Sequence, residues 1–224
     1  LITPRLFGKS DGGYLLFATR ITENSLSIFY SRSEDGEQWS NFQQFTTEAG
    51  LELSFLPYHT SYARKEYVVF QTLQAFGDRQ RYQIYLKISS DDGETWGDPI
   101  WLTGFEEALP GLEFSPANFD NQRPYINAIG GRLAVTWERR AGSGPLQVYY
   151  AELNQFGRFL QQPDRVTDGL RDCRFPRVFY HNNTTYLTWF DNRRGDNHII
   201  LARKQGLRWY ENDISQMPGI STFG

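Results

Sequence analysis

The stretch Ser89-Ser90-Asp91-Asp92-Gly93-Glu94-Thr95-Trp96 decides the fold, because its Ser-x-Asp-x-Gly-x-Thr-Trp spacing describes a self-stabilised hairpin turn. In such a turn an Asp accepts hydrogen bonds from loop N–H groups, a Gly supplies a backbone angle that other residues avoid, and a Trp packs under the loop. A second copy, Ser33-Glu34-Asp35-Gly36-Glu37-Gln38-Trp39, has one residue fewer between Asp and Gly. The residues expected to build the two turns are Ser33, Asp35, Gly36, Trp39, Ser89, Asp91, Gly93 and Trp96.

Both turns belong to a longer repeat, of which the chain holds four copies. Each copy opens with a proline and reaches, 13 residues later, an aromatic residue that ends an apolar run. The pairs are Pro4 with Phe17, Pro57 with Phe70, Pro124 with Trp137, and Pro176 with Trp189. Apolar runs bounded by turn residues are typical of β-strands. The prolines recur after 53, 67 and 52 residues, close to the roughly 40–50 residues of a propeller blade, with an insertion at about residues 103–120.

With these turns and repeats, the chain resembles the sialidase-like Asp-box (BNR) repeat β-propeller family over nearly its whole length. The resemblance implies an all-β fold, a β-propeller of four-stranded antiparallel blades, with the Asp boxes on the outer rim. We expect one domain over residues 1–224, with blades at roughly 1–50, 51–105, 118–168 and 171–215, and the start of a further blade at 216–224. About four blades would then belong to a six- or seven-bladed ring of a longer protein, and a small closed ring is the alternative.

The charge balance argues against some classes of partner. Lys and Arg total 23 against 26 Asp and Glu, so the formal net charge of −3 gives no electrostatic reason to expect nucleic acid or an anionic membrane. No stretch is long and apolar enough to insert into a membrane. One cysteine, Cys173, and three scattered histidines form no metal-ligand cluster, so neither a metal nor a cofactor is expected.

The family resemblance also implies catalytic candidates in the fourth copy. A sialidase clamps the sugar carboxylate with three Arg, attacks with a Tyr helped by a Glu, and uses an Asp as acid/base. Arg174-Phe175-Pro176 resembles the family's Arg-Ile-Pro motif, and Asp196 aligns with the acid/base, with Asp191 as a further candidate. The alternative is that Asp191 and Arg193 form a salt-bridged loop without catalytic role.

Two departures from the family pattern weaken the catalytic interpretation. The first copy has Ile2 where the family has its Arg, and the matching motif stands in the fourth copy instead. No Tyr–Glu pair follows from the spacing, although Glu113 and Tyr125 are available.

A set of candidate ligand-binding residues comes from the repeat itself. The residues that follow the leading prolines are Arg5, Tyr58, Tyr125 and Arg177. Equivalent positions of repeated blades lie on a circle about the axis, so we expect these four side chains to form an arc that binds an anionic or hydroxyl-rich ligand. The alternative is that they cap strand ends and pair with acids such as Glu113 or Asp120. Arg123, immediately before Pro124, is a further candidate that we expect to point the opposite way.

These observations favour a glycan-binding or sensory propeller module of a larger extracellular or periplasmic protein, with a carbohydrate or small anionic ligand as partner. The first alternative is an exo-sialidase-type glycoside hydrolase. The second is a non-catalytic protein-interaction propeller, which would show an exposed apolar patch instead. Fold alone does not choose among the three, because one fold hosts many functions.

Overall fold

The computed structural model describes residues 1–10, 12–107, 115–193, 195 and 197–215, and it confirms the all-β prediction. Within these residues there are sixteen β-strands, one short 3-10 helix (Pro116–Asn118) and no α-helix. The strands form four antiparallel sheets of four strands each, and neighbours in the sheet are neighbours in the chain. The expected start of a further blade at 216–224 lies outside the described residues.

Sheet 1 consists of β1 (Ile2–Gly8), β2 (Tyr14–Ile21), β3 (Leu26–Ser33) and β4 (Gln43–Gln44). Sheet 2 consists of β5 (Ser54–Tyr62), β6 (Lys65–Phe76), β7 (Arg79–Ser89) and β8 (Ile100–Trp101). Sheet 3 consists of β9 (Phe119–Ile129), β10 (Arg132–Ala141), β11 (Gln147–Leu153) and β12 (Asp164–Arg165). Sheet 4 consists of β13 (Cys173–His181), β14 (Thr184–Asp191), β15 (His198–Gln205) and β16 (Arg208–Asp213).

The first strands of successive sheets, β1, β5, β9 and β13, contact one another and so lie nearest the propeller axis. Each of them carries one of the leading prolines, which are Pro4, Pro57, Pro124 and Pro176. Side chains that these strands direct toward the axis therefore come from all four sheets.

Three hydrophobic cores lie between successive sheets. They include Phe17, Phe45 and Phe70 between sheets 1 and 2, Val69, Ile84 and Trp137 between sheets 2 and 3, and Ala134, Val148 and Trp189 between sheets 3 and 4. Side chains alternate between the two faces of a strand, so Val69 and Phe70 serve different cores. Truncating a buried Phe or Trp to Ala costs about 3–5 kcal/mol, so the stacking of the sheets is a main source of stability.

Sheet 1 departs from the equal spacing that the sequence predicts. In the other three sheets the residue after the leading proline pairs with the residue before the aromatic, as Tyr58 does with Val69. Arg5 pairs instead with Phe17 itself, because β1 and β2 are joined by a five-residue turn and the other hairpins by two-residue turns. The counterpart of Phe17 is therefore Val69 rather than Phe70, and the predicted equivalence is wrong for this copy.

Each first strand is kinked at the residue before its leading proline. Thr3, Leu56, Arg123 and Phe175 have positive φ angles of 49°, 55°, 50° and 57°. The register of the strand pairing shifts at the same point in all four sheets. A positive φ is costly for a residue with a Cβ, and a following proline favours extended backbone, so each kink carries strain. Such bulges re-aim the side chains around them.

Two buried side chains hold kinks of the next sheet in place. Gln71 in β6 accepts a 2.6 Å hydrogen bond from the backbone N–H of Arg123 in sheet 3. Glu138 in β10 accepts a 2.6 Å hydrogen bond from the N–H of Phe175 in sheet 4, and its other carboxylate oxygen lies 2.7 Å from Arg123 Nη1. We call these contacts the inter-sheet clamps. Because Gln71 and Glu138 are buried, water competes little for these bonds.

The two Ser-x-Asp turns form the hydrogen bonds that their spacing predicts. The Ser89 hydroxyl accepts a hydrogen bond from the N–H of Gly93 at 2.8 Å, and Asp91 accepts one from the N–H of Thr95 at 2.9 Å. The hydroxyl of Thr95, aided by its N–H, lowers the pKa of Asp91 to about 2, although burial opposes the shift slightly. Asp35 likewise accepts hydrogen bonds from two N–H groups of its turn, which lower its pKa.

The tryptophans of the two turns lie in different surroundings. Trp96 packs against Phe17, Tyr30 and Phe45 of sheet 1, with ring centroids 5.0–6.1 Å apart. Trp39 donates a hydrogen bond from Nε1 to the Gly36 carbonyl of its own turn and is 36% exposed, so it contacts its loop without being buried. The two tryptophans differ because Trp96 follows β7 of sheet 2 and can reach sheet 1. Trp39 follows β3 of sheet 1, and no described sheet precedes sheet 1.

Replacing Asp91 with Asn tests the charge in the turn. The folded-state pKa of about 2 lies below the ordinary 3.8, so the carboxylate adds stability above about pH 4 and loses it as the pH falls toward 2. At neutral pH we expect Asp91→Asn to lower the free energy of unfolding by up to about 1 kcal/mol, a small value because the group is exposed. Urea titrations of the wild type and the variant at pH 7, 4 and 2.5 measure whether their difference in free energy of unfolding shrinks as the pH falls. The control Asp98→Asn, at an exposed position, should unfold with the same free energy as the wild type at each pH. A stability loss in Asp91→Asn that does not change with pH would show that the charge of Asp91 does not stabilise the turn.

Variants of the inter-sheet clamps compare the stability contributed by a neutral hydrogen bond, at Gln71, with that contributed by a buried ion pair, at Glu138. We expect Glu138→Ala to lower the free energy of unfolding by about 3 kcal/mol, because it leaves Arg123 and the N–H of Phe175 without their buried partner. Gln71→Ala should cost about 1–2 kcal/mol, because one neutral hydrogen bond is lost. Chemical denaturation measures both, and equal losses for the two variants would show that the charge at position 138 is unimportant.

Candidate functional site

A cleft of about 240 Å³ lies between the first strands of the four sheets. Its lining residues are Arg5, Leu56, Tyr58, Arg123, Phe175 and Arg177, and every one of them belongs to β1, β5, β9 or β13. Four of these residues belong to the predicted ligand-binding set. Leu56 and Phe175 were not predicted, and both are kinked residues of the kind described above. We call this opening the arginine cleft.

The structure corrects the expected direction of Arg123. The sequence analysis placed its side chain opposite to those that follow the prolines, whereas it lines the same cleft as Arg5 and Arg177. The kink before Pro124 explains the difference, because the local backbone no longer follows regular strand geometry. The guanidinium of Arg123 lies 4.7 Å from the ring centroid of Phe175 and forms an ion pair with the buried Glu138.

Tyr58 is the centre of the arc of residues that follow the prolines. The guanidinium carbon of Arg5 lies 4.1 Å from the Tyr58 ring centroid, and that of Arg177 lies 4.9 Å from it. Arg177 Nη2 also donates a 2.7 Å hydrogen bond to the Tyr58 hydroxyl. Tyr125 meets Tyr58 edge-to-face, with centroids 5.0 Å apart, and its ring lies 4.9 Å from the Arg177 guanidinium. The structure thus brings all four predicted residues together. Cation–π contacts with the tyrosine rings hold the guanidinium groups of Arg5 and Arg177 in place.

No described acid neutralises the charges of Arg5 and Arg177. Within the described residues neither Arg5 nor Arg177 forms an ion pair with a carboxylate. Asp120, a partner considered in the alternative interpretation, instead accepts a hydrogen bond from the N–H of Tyr82. Glu113, the other partner considered, lies outside the described residues. The arginine cleft therefore presents positive charge to a ligand.

Two titratable groups beside the arginine cleft have pKa values shifted by burial. Burial raises the pKa of Tyr125, and the charge of Arg177 opposes the shift, so this phenol stays a neutral hydrogen-bonding group at neutral pH. Burial also raises the pKa of Glu138, against the opposing charge of Arg123. Glu138 and Gln71 were not among the predicted residues, although each is a long polar residue placed directly after the aromatic of an apolar strand.

Arg174, the residue expected to clamp a carboxylate, lies in a second cleft. This cleft has a volume of about 260 Å³ and is lined by Asp172, Arg174, Phe175, Phe190, Asn192 and Asn197. Arg174 Nη2 lies 3.2 Å from a carboxylate oxygen of Asp172. We call this opening the amide cleft. The kink at Phe175 separates Arg174 from Arg177, so the three guanidinium groups of the arginine cleft do not include Arg174.

Asp191, a further catalytic candidate of the fourth copy, lines neither cleft. Asp191 is buried and binds Arg193, whose Nε lies 2.9 and 2.8 Å from the two carboxylate oxygens. Arg193 also pairs with Glu211 at 2.7 Å, and these two acids raise its pKa. The arrangement is the salt-bridged loop that was the alternative to a catalytic role. Asp196 lies outside the described residues.

The described residues include no group of three metal-ligating side chains. Over the same ranges, no helix is long and apolar enough to cross a membrane.

Known proteins match this chain in structure and not in sequence. No protein-family model matches it, and neither does any curated protein sequence. A protein of unknown function from Dyadobacter fermentans matches with a TM-score of 0.69 at 13% identity, over 94% of this chain and 68% of that one. The α-L-arabinanase of Penicillium chrysogenum, complexed with arabinobiose, matches with a TM-score of 0.67 at 16% identity, over 94% of this chain and 65% of that one.

A third match is an ulvan lyase bound to an oligosaccharide of glucuronic acid and sulfated rhamnose. It has a TM-score of 0.63 at 12% identity, over 97% of this chain and 59% of that one. Neither the arabinanase nor the ulvan lyase is a sialidase, and membership of the sialidase-like family stays a prediction. At such identities the matches bear on the fold alone. They show that this chain has a β-propeller fold, which it shares with enzymes that act on carbohydrates.

Proposed function

We propose that this chain is a glycan-binding module of the sialidase-like propeller type, and that it captures an acidic sugar in the arginine cleft. The observation that carries the proposal is the pair of guanidinium groups on Tyr58, which have no carboxylate partner among the described residues. A guanidinium binds a carboxylate or sulfate through two parallel hydrogen bonds, which a Lys cannot match.

The surroundings of these arginines support a sugar rather than a simple ion. Tyr58, Phe175 and Leu56 add apolar surface beside the charges, as expected where a ring must lie flat while its acidic group is bound. The cation–π contacts hold Arg5 and Arg177 before a ligand arrives, which lowers the entropy cost of binding. Carbohydrates bound to structurally similar propellers, such as arabinobiose, agree with this class of ligand.

The rival function is a glycoside hydrolase of the exo-sialidase type, favoured by the carbohydrate-active enzymes of the same fold. Glycosidases need ionisable groups at the reacting bond. Both oxygens of Glu138 are engaged, Asp191 is held by Arg193, and Arg174 lies in the other cleft. Within the part of the chain that the structure describes, these contacts favour binding over hydrolysis. Residence in an extracellular or periplasmic protein with further blades belongs to the same proposal.

Arginine variants test the binding site. Screening on a glycan array and then titration calorimetry with glucuronic acid or sialic acid should detect binding that weakens with added salt. We expect Arg5→Ala and Arg177→Ala each to reduce the affinity by about tenfold or more, because a charge-assisted hydrogen bond to the ligand is lost. Arg5→Lys should recover only part of the affinity.

The control is Arg208→Ala, an exposed arginine in β16 far along the chain from the cleft residues, which should leave the affinity unchanged. If Arg208→Ala and Arg5→Ala lose the same affinity, the binding is non-specific charge attraction and the proposal is overturned. Turnover of a fluorogenic sialoside that disappears in Arg174→Ala would instead establish the hydrolase.

A further inference from the structure

The arginine cleft and the amide cleft share one wall. Phe175 lines both of them, so the two clefts adjoin the same side chain. Neither volume, about 240 Å³ and about 260 Å³, reaches the roughly 300 Å³ at which small-molecule sites usually begin, whereas the two together exceed it. Each cleft therefore suits a single sugar ring, and the pair suits a linked one.

The shared wall is held rigidly. The N–H of Phe175 donates to the buried Glu138, its ring meets Phe190 edge-to-face at 6.1 Å, and the Arg123 guanidinium lies over it at 4.7 Å. Contacts on three sides fix the separation of the two clefts. Two subsites held at a constant distance can select ligands by linkage as well as by composition.

The two clefts differ in charge. The arginine cleft collects Arg5, Arg123 and Arg177, and among the described residues only Arg123 has a carboxylate partner. In the amide cleft Arg174 is paired with Asp172 at 3.2 Å. Although partial burial opposes it, the N–H of Leu146 and the charge of Arg174 hold the pKa of Asp172 below its usual range, so this pair stays ionised. The described lining of the amide cleft is therefore close to neutral.

The remaining lining of the amide cleft fits a neutral sugar. Asn192 and Asn197 are exposed amides that offer both donors and acceptors to hydroxyl groups. The rings of Phe175 and Phe190 supply flat apolar surface beside them. No described residue of this lining other than the Arg174–Asp172 pair carries a charge, so the described lining does not favour a second acidic unit over a neutral one.

We propose that the site binds an oligosaccharide in which an acidic sugar is linked to a neutral sugar, the acidic unit in the arginine cleft and the neutral unit in the amide cleft. The inference rests on the proposed glycan-binding function and adds to it the composition and minimum length of the ligand. It predicts that a monosaccharide fills half of the site and a mixed disaccharide fills all of it.

The test is titration calorimetry with free glucuronic acid and with two disaccharides of glucuronic acid and a neutral hexose, one in each order of linkage. We expect one of the disaccharides to bind at least about tenfold more tightly than the monosaccharide. Asn192→Ala and Asn197→Ala, two exposed positions where folding is little affected, should remove most of that gain and leave the monosaccharide affinity unchanged. Arg5→Ala should weaken both ligands alike.

The outcomes separate the two proposals. Equal affinity for the monosaccharide and both disaccharides, or a gain that survives both Asn variants, would overturn the two-subsite inference and leave acidic-sugar binding intact. Binding of a diglucuronic disaccharide as tight as that of the mixed one would overturn the neutral character of the second subsite. Failure of every ligand to bind folded protein would overturn the proposed function itself, and this inference with it.

Discussion

The positive-φ residue before each leading proline is the constraint on which the site depends. A left-handed backbone costs a residue with a Cβ roughly 1–2 kcal/mol, and the following proline adds its own restriction, so such kinks persist only where the surroundings enforce them. In sheets 3 and 4 the enforcement is visible, because Gln71 and Glu138 bind the N–H groups of Arg123 and Phe175. The strain is thus balanced by bonds that also join one sheet to the next.

The same kinks decide which side chains meet. They bring Arg123 beside Arg5 and Arg177, and they place Phe175 as a wall between Arg177 and Arg174. A regular strand would give neither result. The distribution of charge between the two clefts is therefore a consequence of backbone geometry, and Glu138 influences it twice, by holding the kink at Phe175 and by pairing with Arg123.

The features that the sequence could predict are local ones. Strands, hairpins and the two Ser-x-Asp turns depend on residues a few positions apart, so spacing alone describes them. The kinks could not be predicted, because the residues that adopt them, Thr3, Leu56, Arg123 and Phe175, have no side-chain chemistry in common. Contacts between sheets could not be predicted either: Trp39 and Trp96 stand in the same motif, and only Trp96 has a neighbouring sheet against which it is partly buried.

The register of sheet 1 shows how a repeat can mislead. Phe17 follows its proline at the same distance as Phe70 does, yet a longer turn rotates it onto the opposite face, where it packs toward sheet 2. A one-residue slip exchanges the faces of a strand, so Leu6 and Leu16, which pair with each other, point away from sheet 2. Leu6 is 59% exposed as a result, and this side of sheet 1 is more apolar than a solvated sheet face usually is.

The chemistry available in the clefts depends on whether the oxygens of each carboxylate already have hydrogen-bond or ion-pair partners. A general acid must be able to release a proton toward the substrate, and a nucleophilic carboxylate must have a free lone pair directed at it. Glu138 is fully buried with one oxygen on Arg123 and the other on a backbone N–H, and Asp191 is held by Arg193. Asp172 is in turn committed to Arg174 and to the N–H of Leu146. Among the described residues that line or support the clefts, the acids thus serve to position arginines, and the groups left to meet a ligand are guanidinium, amide, hydroxyl and aromatic ones.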